Sequence, residues 1–286
     1  MSLPFSTTRS GTTITLSPKN PALQSGLIVI SHGLGDTAEG FADVAQMIAK
    51  QMPHLKIILP TAPTQPVSMN MGMPMPSWYD ITGLDERSNE NCKGIHDSKK
   101  TLMDILKEEH SNTNLSYERM VLMGFSQGGA LSLFTGMQLE KEQKLAGIVV
   151  MSGYLPAKSQ FKITGGLEDV PIMHFHGQSD PMVQVGMATR SQEVVKENGA
   201  KNYQLKTYPG LVHSVNEDEI RDVQAFLEKV LPDDEAFRIT LKDPSEMTAK
   251  ELKTAIRNAE IGSKAVGFME KSEFVRLLQD HRNGKL

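Results

Sequence analysis

MVLMGFSQGGALSL, residues 120–133, is the stretch that decides how this chain is read. Its first four residues are an apolar run with the look of a buried strand. From Gln127 onward the pattern becomes helical, so Gly124-Phe125-Ser126-Gln127-Gly128 sits on a strand-to-helix turn. A serine on such a turn is held in a tight backbone bend with its hydroxyl exposed beyond the sheet edge, the arrangement called a nucleophile elbow. Side chains at the flanking positions would collide with neighbouring backbone. Glycine at 124 and 128 removes those collisions. Ser126 is therefore the candidate nucleophile.

A serine hydroxyl needs a general base near neutral pH. In sheets of this kind the partners follow in the chain order serine, acid, histidine. Only His213 and His281 follow both Ser126 and a suitable acid. His281 lies in a charged tail and reads as solvated, whereas His213 lies in the loop PGLVHS at 209–214. Asp180 is the candidate acid, because the apolar run 172–175 feeds directly into HGQSDP at 176–181. It would accept from His213 Nδ1–H, fix the tautomer and stabilise the imidazolium. Glu168 and Asp169 precede that strand, at the wrong edge. His174 and His176 are spaced i, i+2 on the strand without nearby carboxylates or cysteines, so packing outweighs a metal role. An oxyanion also needs donors: the backbone N–H of Gln127 and one from the loop SHGLGD at 31–36, where Leu34 is the candidate. That loop lacks the third glycine of a dinucleotide fingerprint at its usual spacing.

Outward from this site, β-rich runs at 12–16, 27–31, 56–59, 120–123, 148–151, 172–175 and 204–208 alternate with helical patterns near 39–51, 95–110, 127–139, 188–198 and 217–230. The inner runs (LIVI, IVVM) are almost continuously apolar, as strands buried on both faces should be. The expected fold class is α/β: a mostly parallel central sheet with helices on both faces. After Leu231 the character changes. Residues 1–231 are expected to form one domain, 232–246 a linker, and 247–286 a small helical C-terminal module. In that module Thr248 and Glu251 have capping-box spacing, and Leu252, Ile256, Phe274 and Leu277 recur at helical intervals.

The 286 residues are 39% hydrophobic and 22% charged, so the chain is expected to fold around a sizeable core rather than remain disordered. No apolar stretch approaches the ~18–20 residues of a spanning helix, and residues 1–20 carry no apolar run for a signal peptide. With one cysteine, Cys92, there is no internal disulfide and no thiolate metal cage; a cytoplasmic, reducing compartment is expected. The net charge of −4 names no partner. It is unevenly spread, however: residues 247–286 carry eight Lys/Arg against five Asp/Glu, and residues 1–246 carry 22 against 29.

The motifs SHGLGD (31–36), LPTAPTQPV (59–67), SWYDI (77–81), GFSQGGALSL (124–133), HGQSDPMV (176–183) and YPGLVHS (208–214) together resemble the acyl-protein thioesterase group of the phospholipase/carboxylesterase family, within the α/β-hydrolases. The resemblance implies a serine hydrolase acting on fatty acyl thioesters and esters, whose partners are acylated proteins or lipid and ester substrates, with no cofactor and no metal. It supports Ser126, Asp180 and His213 as the triad, with Leu34 and Gln127 at the oxyanion positions. It also implies an acyl site around Trp78, Ile81, Leu84, Tyr154 and Met182. Tyr154 and Gln184 depart from the Trp and Pro frequent in relatives, and Met1-Ser2-Leu3-Pro4 lacks the acylatable cysteine that many carry. The methionine-rich stretch 67–75 is expected to overhang the site as an adaptable apolar lid. Residues 247–278 are similar to the SAP-type helix–link–helix module, through MTAKELK, Gly267 and the second helix opening at Glu270. A net charge of +3 is small for phosphate binding, so protein contact is favoured over nucleic acid there. Two other readings stand beside the first: a small-ester carboxylesterase without protein substrates, and a targeting or scaffold protein whose tail is the working part.

Overall fold

The computed structural model describes residues 3–83, 90–259, 261–283 and 285. In chain order these form β1 (Phe5–Ser10), β2 (Thr13–Pro18), β3 (Gly26–Ser31), α1 (Ala42–Gln51), β4 (Leu55–Leu59), β5 (Thr64–Val67) and β6 (Met73–Pro76). Then follow α2 (Ile95–Thr113), β7 (Met120–Phe125), α3 (Gln127–Gly136), β8 (Gly147–Met151), β9 (Ile172–Gly177), α4 (Val185–Glu197), β10 (Tyr203–Tyr208), α5 (Glu217–Val230), α6 (Ala249–Asn258) and α7 (Lys271–Arg282). Eight strands make one sheet in the order β1-β2-β4-β3-β7-β8-β9-β10. Pairing is parallel from β4 through β10 and antiparallel at β1–β2 and β2–β4. This is the α/β-hydrolase fold expected from the sequence.

The apolar strand runs are explained by burial on two sides. In β3, Leu27 and Val29 face the layer containing α2 and α3, while Ile28 and Ile30 face the layer containing α1 and α5. The same alternation holds in β7, with Leu122 on one side and Met123 on the other, and in β8, with Val150 and Met151. Period-two alternation survives in space although both sets are apolar. Helix α3 lies beneath the sheet centre and is buried at every position.

Helix α5 shows how local sequence fixes an element. Asn216 caps it by accepting the Glu219 N–H, and three acidic residues in the first turn complement the helix dipole. Val223 and Leu227 form its buried stripe against the sheet, and truncating Leu227 to alanine would cost about 2–5 kcal/mol. The helix sets the position of the loop before it, which carries His213.

Two segments differ from a simple reading of the sequence. The methionine-rich stretch is a two-stranded hairpin, β5 with β6, whose tip turns through Met71 (φ 56) and Gly72 (φ 75). Residues 232–246 lie along the body: Ile239 and Leu241 join the core under α2, and Ile239 N–H donates to Gln24 O at 2.8 Å. Beyond them, Met247, Leu252, Ile256, Ile261, Leu277 and Leu278 make a small core between α6 and α7. The capping box of Thr248 and Glu251 is formed in both directions. Among the described residues no helix is long and apolar enough to cross a membrane.

Candidate active site

Four loops leave the carboxyl ends of parallel strands and meet at one edge of the sheet, where open α/β sheets place their ligands. They follow β3, β7, β9 and β10. Ser126 follows β7 with φ 52 and ψ −118, a conformation a non-glycine residue adopts only when its surroundings impose it. Its N–H is held by Met151 O at 2.7 Å, and its carbonyl accepts from Ala130. A Cβ at Gly124 would run into the Gly128 carbonyl, and one at Gly128 into the Ser31 carbonyl. The two glycines therefore allow the bend for the reason expected from the sequence.

The loops after β9 and β10 are stitched together. Gln178 N–H donates to Tyr208 O at 2.9 Å and Ser179 N–H to Leu211 O at 3.0 Å. This brings Asp180 and His213 together although they stand 33 residues apart. His213 Nδ1 lies 2.7 Å from Asp180 Oδ2, and His213 Nε2 lies 3.0 Å from Ser126 Oγ. The Asp180 side chain is wholly buried, while the His213 side chain keeps 19% of its surface exposed. Asp180 Oδ1 also accepts from the N–H groups of Met182 (2.8 Å) and Val183 (2.9 Å), which hold it to one rotamer. The His213 ring packs on Phe125 with centroids 4.9 Å apart.

The 31–36 loop comes next to this chain: a Cβ built at Gly33 would lie 3.5 Å from Ser126 Cβ. His32 anchors it. Its Nδ1–H donates to Gly33 O at 2.7 Å, and its Nε2 accepts from Ala62 N–H at 3.0 Å. Both nitrogens are thus committed in the neutral ring, and burial pushes the imidazole below its ordinary range against the Gly33 hydrogen bond. Gly35 N–H donates to Pro76 O, tying the loop to the β5–β6 hairpin. Leu34 is partly buried against the core. Gln127 opens α3, and an N–H in the first turn of a helix has no intrahelical acceptor.

The side chain of Gln127 was not anticipated from the sequence. Its Oε1 accepts from Trp78 N–H at 2.9 Å, and its Nε2 donates to Tyr79 O at 2.7 Å and Ser77 Oγ at 3.1 Å. Trp78 Nε1–H then donates to His32 O at 2.8 Å. Of the residues expected around an acyl chain, Trp78, Ile81 and Tyr154 are all buried in the core beneath α2 and α3. Tyr154 hydrogen-bonds Tyr79 through their hydroxyls at 3.0 Å, and burial raises both phenols above their ordinary range. Met182 lies apart from these, 46% exposed beside Asp180. Leu84 lies outside the described residues. In the hairpin, Met69 and Met75 are half-buried while Met71 and Met73 are exposed, at 94% and 58%. Burial pushes the Cys92 thiol up to about 11. Among the described residues no group of three or more His, Cys, Asp or Glu is placed to hold a metal ion.

A family model described as Phospholipase/Carboxylesterase matches residues 12–231, most of the chain and all the residues of the site. The chain belongs to that family. Among relatives, acyl-protein thioesterase 1 of Mycosarcoma maydis is 37% identical over 235 residues, covering 77% of this chain and 97% of that protein. Acyl-protein thioesterase 1 of Gibberella zeae is 40% identical over 216 residues, covering 72% and 90%. The crystal structure of Zea mays acyl-protein thioesterase 2 superposes with a TM-score of 0.68 at 26% identity, covering 78% of this chain and all of that one. As a phospholipase/carboxylesterase family member the chain is a hydrolase of the esterase type. Residues 232–286 lie beyond the family match.

Proposed function

We propose that this family member cleaves fatty acyl thioesters and esters through an acyl-enzyme on Ser126. The observation that carries the reading is the continuous hydrogen-bonded chain from Ser126 Oγ through His213 to Asp180 at the sheet edge. His213 Nε2 takes the hydroxyl proton as Oγ attacks the acyl carbonyl, and Asp180 stabilises the imidazolium. Negative charge then forms on the carbonyl oxygen, where the N–H groups of Leu34 and Gln127 are its donors. His213 returns the proton to the leaving group, and water repeats the sequence to free the acid. A thiolate, with a pKa of about 8.5, leaves without further help from the protein. The relatives' names speak for acyl groups on proteins. The exposed methionines of the hairpin and Met182 offer an adaptable apolar approach for such a chain.

Acyl binding against Trp78, Ile81, Leu84, Tyr154 and Met182 belongs to the same proposal. A small-ester carboxylesterase is the second reading, favoured by the burial of Trp78, Ile81 and Tyr154. Turnover of matched acyl thioesters and oxygen esters from two to sixteen carbons separates the two. A fluorophosphonate probe should label the wild type and leave Ser126→Ala unlabelled; labelling of the variant would remove Ser126 from the chemistry. The segment 247–286 is taken as a separate, SAP-like module for protein contact, supported by its own small core and capped first helix. A reducing, cytoplasmic setting suits a chain whose single cysteine is buried.

A further inference from the structure

Behind Asp180 lies a line of buried polar side chains that the acyl-transfer chemistry above does not use. His174 and His176 occupy alternate positions of β9 and point to the same side of the sheet, and both are fully buried. Tyr203, at the start of β10, is buried beside them. His176 Nε2 lies 2.7 Å from Val183 O, His176 Nδ1 lies 3.3 Å from His174 Nε2, and His174 Nδ1 lies 2.7 Å from Tyr203 Oη.

The direction of this chain follows from its last acceptor. A carbonyl oxygen only accepts, so His176 carries its proton on Nε2. Burial holds His176 neutral, which leaves its Nδ1 bare to accept from His174 Nε2–H. His174 is likewise neutral: burial and then the neighbouring His176 push it well below the imidazole range, against a hydrogen bond to the Gly153 backbone. Its Nδ1 is therefore bare and accepts from the Tyr203 hydroxyl, which burial keeps protonated. Along the chain the donors run from Tyr203 toward the acid loop, with His174 Nε2–H shared between His176 Nδ1 and the Gly153 backbone, and each bond polarises the next.

The chain ends at the backbone of Val183. The backbone of that residue is gripped on both sides of its Cα, its carbonyl by His176 and its N–H by Asp180 Oδ1. His176 Nε2 itself lies 3.7 Å from Asp180 Oδ2, too far for a hydrogen bond; its hold on the carboxylate runs through the Val183 backbone. We propose that Tyr203, His174 and His176 form a buried one-way hydrogen-bond relay whose work is to position Asp180 for His213. This rests on the reading of Ser126, His213 and Asp180 as the triad. The three relay members are positioning residues, since none of them touches Ser126 Oγ or the carbonyl it attacks.

The test compares His176→Leu, His176→Gln and Tyr203→Phe with the wild type on a short soluble ester, with rates expressed per fluorophosphonate-labelled site. Glutamine can still donate to Val183 O; leucine cannot. With the relay cut, Asp180 is less firmly set toward His213, so the base holds its proton less tightly. His176→Leu should lower kcat per labelled site roughly 10–100-fold, the cost of misplacing a catalytic group, with KM little changed. The acid limb of kcat/KM should move to lower pH, and the far-downfield proton signal of the His213–Asp180 hydrogen bond should weaken. His176→Gln should recover most of the rate. Tyr203→Phe, which removes one hydroxyl and leaves packing intact, should move the limb in the same direction by less. If His176→Leu fails to fold, Tyr203→Phe decides. Wild-type kcat per labelled site and an unmoved limb in the folded variants would overturn the relay. Full activity of Ser126→Ala would instead overturn the triad reading, whatever the relay variants do.

Discussion

Replacing Glu219 by glutamine should change how the stability of this protein depends on pH. Glu219 sits in the first turn of α5, is fully buried, and among the described residues has no hydrogen-bond partner for either carboxylate oxygen. Burial, with a smaller contribution from Asp222, pushes its carboxyl up from 4.5 to about 8. The folded state therefore holds this proton longer than the unfolded chain. The stability this group allows is complete below pH 4.5, falls as pH rises toward 8, and is fully lost above it. At about 1.4 kcal/mol per pH unit the whole window is worth at most about 5 kcal/mol, a large share of the ~5–15 kcal/mol that holds a typical domain folded. Glutamine is neutral at every pH and removes this slope. Its extra unpaired N–H group adds a cost of about 1–3 kcal/mol, but one that does not vary with pH. The informative quantity is the difference in Tm between variant and wild type, followed by circular dichroism from pH 5 to 9. At roughly 2–4 °C per kcal/mol for a chain of this size, that difference should swing in favour of Glu219→Gln by up to about 10–20 °C across the range. A difference that stays constant with pH would refute the reasoning. It would mean that Glu219 finds a partner on ionising or that water reaches it.

Three further expectations follow from the site and the tail. His213→Ala should abolish ester hydrolysis while wild-type kcat/KM rises with pH and then levels off, because the base must be neutral to accept the serine proton; near-wild-type turnover of the variant would break the Ser126–His213 assignment. Gly128→Ala places a methyl group against the Ser31 carbonyl, so it should cost several kcal/mol, on the order of the larger core defects, and activity should fall with the folded fraction in a denaturant titration. A variant as stable as wild type would show that the elbow can yield. Deleting residues 245–286 should leave turnover of a short ester within a few-fold of wild type, because that cut spares Ile239 and Leu241, which pack on the body. Loss of ester hydrolysis together with folding would show that α6 and α7 support the hydrolase.

The strands that were legible in the sequence are those whose burial leaves a mark. LIVI and IVVM read as strands because two helical layers cover them, and their short length and β-branched residues set them apart from a buried helix such as α3. β1 left no such mark. FSTTRS is an antiparallel edge strand with only Phe5 buried, and its order comes from pairing with β2. The hairpin of β5 and β6 was hidden by its prolines. Pro66 pairs opposite Pro74, where neither can donate, and such residues normally argue against a strand. The candidate triad was legible because chain order and strand-end loops restrict the choice to few residues. The side chains that support it were not. His32 with Ala62, Gln127 with Trp78, and His176 with Val183 are contacts between segments that meet only after folding, and each depends on a rotamer that sequence spacing does not express.

Those supporting contacts explain how Ser126 keeps a strained backbone. Strain of about 1–3 kcal/mol persists only where the surroundings leave no alternative. Gln127, the next residue, is fixed by three hydrogen bonds to the 77–79 segment. That segment is fixed in turn to His32 O through the Trp78 indole, and His32 is fixed to Gly33 and Ala62. The 31–36 loop then returns to the serine, with Gly33 packed against Phe125 and Ser126. The result is a closed circuit running from the elbow to the 77–79 segment, on to the 31–36 loop and back to the elbow. No member can shift alone without leaving a buried donor or acceptor unpaired, at roughly 1–3 kcal/mol each. Under the proposed function the same circuit would couple substrate to chemistry. An acyl chain that pressed on Trp78 would push at once on the helix start bearing the Gln127 N–H and on the carbonyl of His32. Under the proposed function, chain length is therefore expected to appear in kcat as well as KM, because Trp78, proposed to meet the chain, also braces the proposed oxyanion donors.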